Sequence, residues 1–157
     1  MVGLGFDVHQ LAAGESFILG GINLDSPIGT VAHSDGDVLF HALADSIFGA
    51  IGEDDIGQHF PDTIQETKNM DSELIVRKAL EIMNAQNLKL INIDITIVLE
   101  APKLKTYKTL MKENIAKICN LPINRVSVKA TTNEKMGFIG RSEGIVVYSI
   151  CQIEEIN

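Results

Sequence analysis

The chain has 157 residues, a hydrophobic fraction of 45%, a charged fraction of 22% and a formal net charge of −8. Such an acidic balance excludes a surface built for nonspecific nucleic-acid binding, which needs an excess of Lys and Arg to neutralise phosphates. No apolar run approaches the ~18 residues of a membrane span, so no membrane partner is expected.

The length predicts a single domain over residues 1–157, able to bury roughly 68–70% of its unfolded surface without staples. The N-terminal residues show neither a charged stretch followed by an apolar one nor an Arg- and Ser-rich transit segment, so no leader is expected. Cys119 and Cys151 follow no C-x-x-C spacing. They read as small buried hydrophobes of a protein in a reducing compartment, and a cytoplasmic location is expected.

The chain opens with Val2, Leu4, Phe6 and Val8 alternating with Gly3, Gly5, Asp7 and His9, the period of a strand. Residues two apart share a face, so Asp7 and His9 project together, and the two glycines leave that face open for something to approach. Gly20-Gly21 between short apolar runs predicts a hairpin. Residues 27–32 read as loop. A helix is expected over about 37–50, with Asp37 at its start and Gly52 as its stop.

Residues 52–67 form a long polar stretch without stable period, of the kind that is usually functional. Asp71 or Ser72 caps a second helix to about residue 86, with Ile75, Ala79, Ile82 and Met83 as its core stripe. Residues 91–100 alternate as a strand, with Ile91, Ile93, Ile95, Ile97 and Leu99 on one face. A third helix follows to about Cys119, with Leu104, Tyr107, Met111, Ile115 and Ile118 at helical spacing. A strand over 125–131 places Val126, Val128 and Ala130 on one side and leads into a second polar loop, 132–141. The last strand, 145–153, is apolar on both faces through Tyr148, and such a strand expects cover on both sides. Helices would cover one side, with a neighbouring subunit as the candidate for the other. The order of elements predicts an α+β fold of two layers, a mixed β-sheet with helices packed on one face.

Reactive groups collect where apolar periodicity lapses. His41 joins Asp7 and His9 to make two imidazoles and a carboxylate, and three protein ligands with an open fourth position suit a catalytic zinc. Sets using His33 or His59 satisfy the spacing equally. Asp37 and Asp45, four residues either side of His41, are candidates to orient its ring, or a cap and a solvated charge. In the second loop, Thr131, Thr132, Glu134, Lys129, Lys135 and Arg141 would suit a phosphorylated ligand with magnesium, or form a solvated turn.

These residues fall in strings that occur in order along the whole chain: Gly5-Phe6-Asp7-Val8-His9, Ala32-His33-Ser34-Asp35-Gly36-Asp37-Val38, Asp55-Ile56-Gly57-Gln58-His59-Phe60-Pro61-Asp62-Thr63, Ala101-Pro102-Lys103, and the run from Lys129 through Thr131, Thr132, Asn133 and Glu134 to Arg141. Together they resemble the 2-C-methyl-D-erythritol 2,4-cyclodiphosphate synthase family of non-mevalonate isoprenoid biosynthesis. Gln10 stands where the family often has Arg, and Asp54 where a Gly usually precedes Asp-Ile-Gly.

The resemblance implies a phosphorus–oxygen lyase that closes a cyclic diphosphate and expels CMP from 4-diphosphocytidyl-2-C-methyl-D-erythritol 2-phosphate. By the family pattern Asp7, His9 and His41 hold zinc, and Glu134 holds magnesium or manganese. His33 and Thr132 are the catalytic pair that stabilises the transition state, and Ser34 holds phosphate. Asp55 and Gly57, with Ile56 between them, contact the methylerythritol part, and Phe60, Pro61, Asp62, Thr63 and Ile64 close over it. Leu99, Glu100, Ala101, Pro102, Lys103, Leu104 and Lys105, with Thr131, Thr132, Asn133 and Glu134, form the cytidine diphosphate pocket. Val8, Phe138 and Arg141 complete the site. The resemblance also implies a homotrimer whose sites are shared between adjacent subunits. Two other classes stay open: a metal-dependent phosphohydrolase, and an isoprenoid-phosphate binding protein without turnover.

Overall fold

The computed structural model describes residues 1–32, 34–60 and 71–156. The opening alternation continues past His9, and β1 runs over Val2–Ala13. A small hairpin follows, β2 (Ile18–Leu19) and β3 (Ile22–Asn23), turned on Gly20 and Gly21 at φ 60° and 74°. Positive φ at both central residues gives a turn whose twist matches that of the strands. Residues 27–32, expected as loop, contain the edge strand β4 (Ile28–Thr30), which pairs antiparallel with the end of β1. Three residues are too few for a periodic pattern to show.

Helix α1 (Val38–Ile51) begins at Asp37, whose side chain accepts from Leu39 and Phe40 N–H, and ends at Gly52 in the left-handed region. The helix is buried around most of its circumference because it packs against β1, the later helix Glu73–Ala85 and the final strand Gly144–Glu155. Its approach to β1 explains Gly3 and Gly5. A Cβ on Gly5 would lie 1.8 Å from Ala42 O, and one on Gly3 would lie 1.9 Å from Ser46 O. Those glycines do leave a face open, and what approaches it is the α1 backbone.

Within the polar stretch lies the short helix α2 (Ile56–His59), capped by Asp55. Next, α3 (Glu73–Ala85) buries Ile75, Val76, Ala79 and Met83. Strand β5 (Leu88–Val98) starts three residues earlier than the alternation suggests, because the register shifts between Leu90 and Asn92. The bulge turns Ile91 partly out, so Leu88 and Leu90 join Ile93, Ile95 and Ile97 in the core. Helix α4 (Lys108–Ile118) buries Met111, Ile115 and Ile118, and the parallel strand β6 (Val126–Thr131) follows it. The second polar loop contains one short helix, α5 (Gly137–Gly140), before the final strand β7 (Gly144–Glu155).

The sheet order is β4-β1-β7-β5-β6, with only β5 and β6 parallel, so the expected mixed sheet of an α+β fold is present. Its helix-facing side merges with α1, α3 and α4 into one apolar core. Across β1 and β7 the other side is apolar and uncovered. Leu4 is 63% exposed, Phe6 49%, Tyr148 43% and Ile150 46%, and the Phe6 and Tyr148 rings lie 5.3 Å apart.

Candidate active site and metal centre

The pleat of β1 places Asp7 and His9 on the helix-facing side, and the first turn of α1 brings His41 over them. His41 Nδ1 is 3.0 Å from Asp7 Oδ2, and His9 Nδ1 is 3.2 Å from the same oxygen. One donor atom from each residue falls within 4.8 Å of the others, and among the described residues no other three acidic, His or Cys side chains meet this way. The His9 contact lacks the alignment of a hydrogen bond, so His9 Nδ1 is a buried nitrogen without a hydrogen-bond partner among the described residues. An orphaned nitrogen, a second imidazole nitrogen and a carboxylate oxygen converging on one point are a fitting donor set for a divalent cation such as zinc. His33 lies outside the described residues, and His59 instead stacks on Phe48 with ring centroids 4.2 Å apart.

Electrostatics follow the geometry. Burial alone would push the Asp7 carboxyl up, but the hydrogen bond with His41 and the closeness of His9 hold it down to about 2. Burial disfavours a charged His41, yet the hydrogen bond and charge of Asp7 outweigh it and push the ring's pKa up. The cluster thus favours a carboxylate with positive charge beside it.

Neither carboxylate flanking His41 orients its ring. Asp37 is fully buried and accepts from Gly20, Gly21, Leu39 and Phe40 N–H, so it joins the hairpin to the start of α1. Asp45 accepts from Ile56 N–H at 2.9 Å and holds the Asp55-Ile56-Gly57 turn against α1. The partner of His41 Nε2 is Ser72 Oγ, at 3.0 Å. In the sequence Ser72 carried only the signature of a helix cap.

A cleft of about 450 Å³ opens on this cluster. It brings together Asp7, Val8, His9, Ser34, His41, Asp55, Ile56, Gly57 and Phe60 from the expected site, and adds Val31, Ala32, Asp45 and Ile75. Pro61, Asp62, Thr63 and Ile64 lie outside the described residues. A second cleft, of about 300 Å³, forms where β5 and β6 end, and gathers Leu99, Pro102, Lys103, Leu104, Lys105, Thr131 and Thr132 with Lys108 and Ala130. Beside it Asn133 N–H donates to Glu100 Oε2 at 3.2 Å, while Glu134 is exposed at φ 51°. Phe138 and Arg141 are exposed near the start of β7, with Arg141 paired to Glu143 at 2.9 Å. Among the described residues none lines both clefts.

The model of the YgbB family matches residues 1–154. The chain is 46% identical over 153 residues to the 2-C-methyl-D-erythritol 2,4-cyclodiphosphate synthase of Chlorobaculum tepidum, covering 98% of each chain. Among solved structures it resembles the bifunctional IspDF of Campylobacter jejuni, with TM-score 0.95 and 43% identity. That match covers 99% of this chain but only 42% of the bifunctional protein. A 2C-methyl-D-erythritol-2,4-cyclodiphosphate synthase in its CDP-bound form superposes with TM-score 0.91 at 30% identity, covering 98% of this chain and all of the other.

Proposed function

This chain belongs to the YgbB family, and we propose that it is a 2-C-methyl-D-erythritol 2,4-cyclodiphosphate synthase. The substrate is 4-diphosphocytidyl-2-C-methyl-D-erythritol 2-phosphate. An oxygen of the 2-phosphate bonds to the β-phosphorus, the bond from that phosphorus to the bridging oxygen breaks, and CMP leaves with the electron pair. A phosphate monoester is largely ionised near neutral pH, so no side chain has to create the nucleophile. Aligning the groups and offsetting charge carry such a step.

The observation that carries this reading is the convergence of Asp7, His9 and His41 on one point of a cleft that also holds the Asp55-Ile56-Gly57 turn. Those three side chains would hold zinc, which when bound supplies Lewis-acid polarisation of a phosphate oxygen. Ser34 would bind phosphate, and Asp55 and Gly57 the methylerythritol hydroxyls. Lys103 and Lys105, with Thr131 and Thr132, offer cations and hydroxyls for a cytidine diphosphate in the second cleft. Glu134 would hold magnesium or manganese against the diphosphate. Thr132, with His33, would face the charge that grows as the ring closes.

A homotrimer with sites between subunits is part of this proposal. Its support is the uncovered apolar side of β1 and β7, and the separation of the two clefts within one chain. Sedimentation at three times the 17.1 kDa chain mass is expected, and a single-chain mass would overturn it. A cytoplasmic location is consistent with two unpaired, buried cysteines.

Incubation with the cytidine diphosphate substrate is expected to release CMP and a cyclic diphosphate in equal amounts. An open-chain phosphate product would make the protein a hydrolase, with water as nucleophile. Substrate binding without turnover, with metals supplied, would make it a binding protein.

A further inference from the structure

We propose that Ser72, anchored by Asp35, is the positioning residue for His41: it orients the ring and commits a proton to Nε2, which leaves the lone pair of Nδ1, beside Asp7 and His9, to ligate a metal. The inference rests on reading Asp7, His9 and His41 as metal ligands, and it concerns two residues which that reading leaves without a role.

Hydrogen-bond inventory decides the direction of the relay. Asp35 Oδ2 accepts from Ser72 N–H at 3.0 Å, and Asp35 Oδ1 accepts from Asp37 N–H at 3.1 Å. Ser72 Oγ donates to the same Asp35 Oδ1. A carboxylate only accepts, and a serine hydroxyl has one proton to give. With that proton committed to Asp35, Ser72 Oγ faces His41 Nε2, 3.0 Å away, as an acceptor, so Nε2 must carry the hydrogen. The remaining ring nitrogen, Nδ1, is the one 3.0 Å from Asp7 Oδ2. His9 Nδ1, buried and without a hydrogen-bond partner among the described residues, approaches the same oxygen. The relay therefore aims a defined nitrogen at the point where the donor set converges.

A simpler role for Ser72, capping α3, does not account for these contacts. A capping serine accepts from an N–H of the helix's first turn. Ser72 stands at that position but makes no side-chain cap bond, and its backbone is helical rather than extended. The residue is 0% exposed, so water does not substitute for either partner of its hydroxyl. The hydroxyl is thus spent on tying α3 and the Ser34-Asp35 loop to the ring of His41. Outer partners of this kind fix the tautomer of a metal-bound histidine.

Zinc titration in competition with a chelator, and nitrogen NMR of protein labelled in its histidines, test the relay. In the zinc-loaded wild type, His41 is expected to show a slowly exchanging proton on Nε2 and zinc on Nδ1. Ser72→Ala is expected to make that proton exchange rapidly and to weaken zinc binding by about 10- to 100-fold. Ser72→Thr, which keeps the hydroxyl, is expected to restore most of both. Equal zinc affinity in wild type and Ser72→Ala overturns the inference and leaves the metal reading standing. A wild-type spectrum with zinc on Nε2 overturns it too, even where Ser72→Ala fails to fold. A wild-type chain that binds no zinc overturns the metal reading and this inference together.

Discussion

Neighbouring residues of β1 meet opposite surroundings. Gly3, Gly5, Asp7 and His9 face the helices, whereas Val2, Leu4, Phe6 and Val8 face away and are 45–69% exposed. An ordinary half-buried strand puts its large apolar residues inward and its small or polar ones outward. Here that order is inverted. The inner side trades side-chain volume for a close helix approach and a donor cluster. The outer side keeps apolar area that a lone chain leaves in water, which is the signature of a face meant for another surface.

Changes on the inner side are expected to be the costly ones. Gly5→Ala puts a methyl 1.8 Å from Ala42 O and 2.7 Å from Ser46 N, both backbone atoms of a packed helix. A loss on the order of 4 kcal/mol, or failure to fold, is expected in denaturant titration. A loss under about 1 kcal/mol would mean that α1 does not rest on β1 this closely.

His41→Ala separates fold from chemistry on that same side. The variant should keep its circular dichroism and lose zinc, with turnover down on the order of 10³-fold. Unchanged zinc content would remove His41 from the ligand set.

Asp37 supplies a pH-dependent test of the same inner region. Burial pushes its carboxyl from the ordinary 3.8 up to about 6, although four N–H groups favour its charged form. A raised native value means that the folded chain holds this proton more tightly than the unfolded one. Its contribution to stability is therefore complete below pH 3.8 and lost as pH rises to about 6. The loss amounts to about 3 kcal/mol. Asp37→Asn should flatten that part of the stability profile relative to wild type, and an unchanged difference between pH 4 and 6 would refute it.

On the outer side the effect on the single chain should be least. Leu4→Asn changes a side chain that is 63% exposed, so folding of the isolated chain should shift by about 0.5 kcal/mol or less. Its sedimentation should nevertheless move toward the single-chain mass, and an assembly that survived would place the contact elsewhere.

Much of this arrangement is legible in the sequence. Strand period put Asp7 and His9 on one face, cap chemistry bounded α1 at Asp37 and Gly52, and the Gly20-Gly21 hairpin followed from the need for positive φ. The metal set was legible only in part. Period and spacing left His33, His41 and His59 as equivalent third ligands, and the family resemblance selected His41. Other features left no local trace. The bulge at Ile91 swaps which residues of β5 face the core, and an unbroken run of alternating residues does not announce it. Asp45 reads as a solvated charge because nothing nearby in sequence reveals Ile56 N–H as its partner.

What the sequence alone determined is therefore local and chemical: the elements with a period, the residues able to bind a metal, and the strings that mark the family. Each depends on contacts within a few residues, where backbone geometry allows few alternatives. Only the tertiary structure decided which side of β1 receives a helix and which stays bare, and that His41 meets Asp7 at Nδ1 and Ser72 at Nε2. Those outcomes join residues more than thirty positions apart. They follow from how whole elements pack, for which no single stretch of chain carries the pattern.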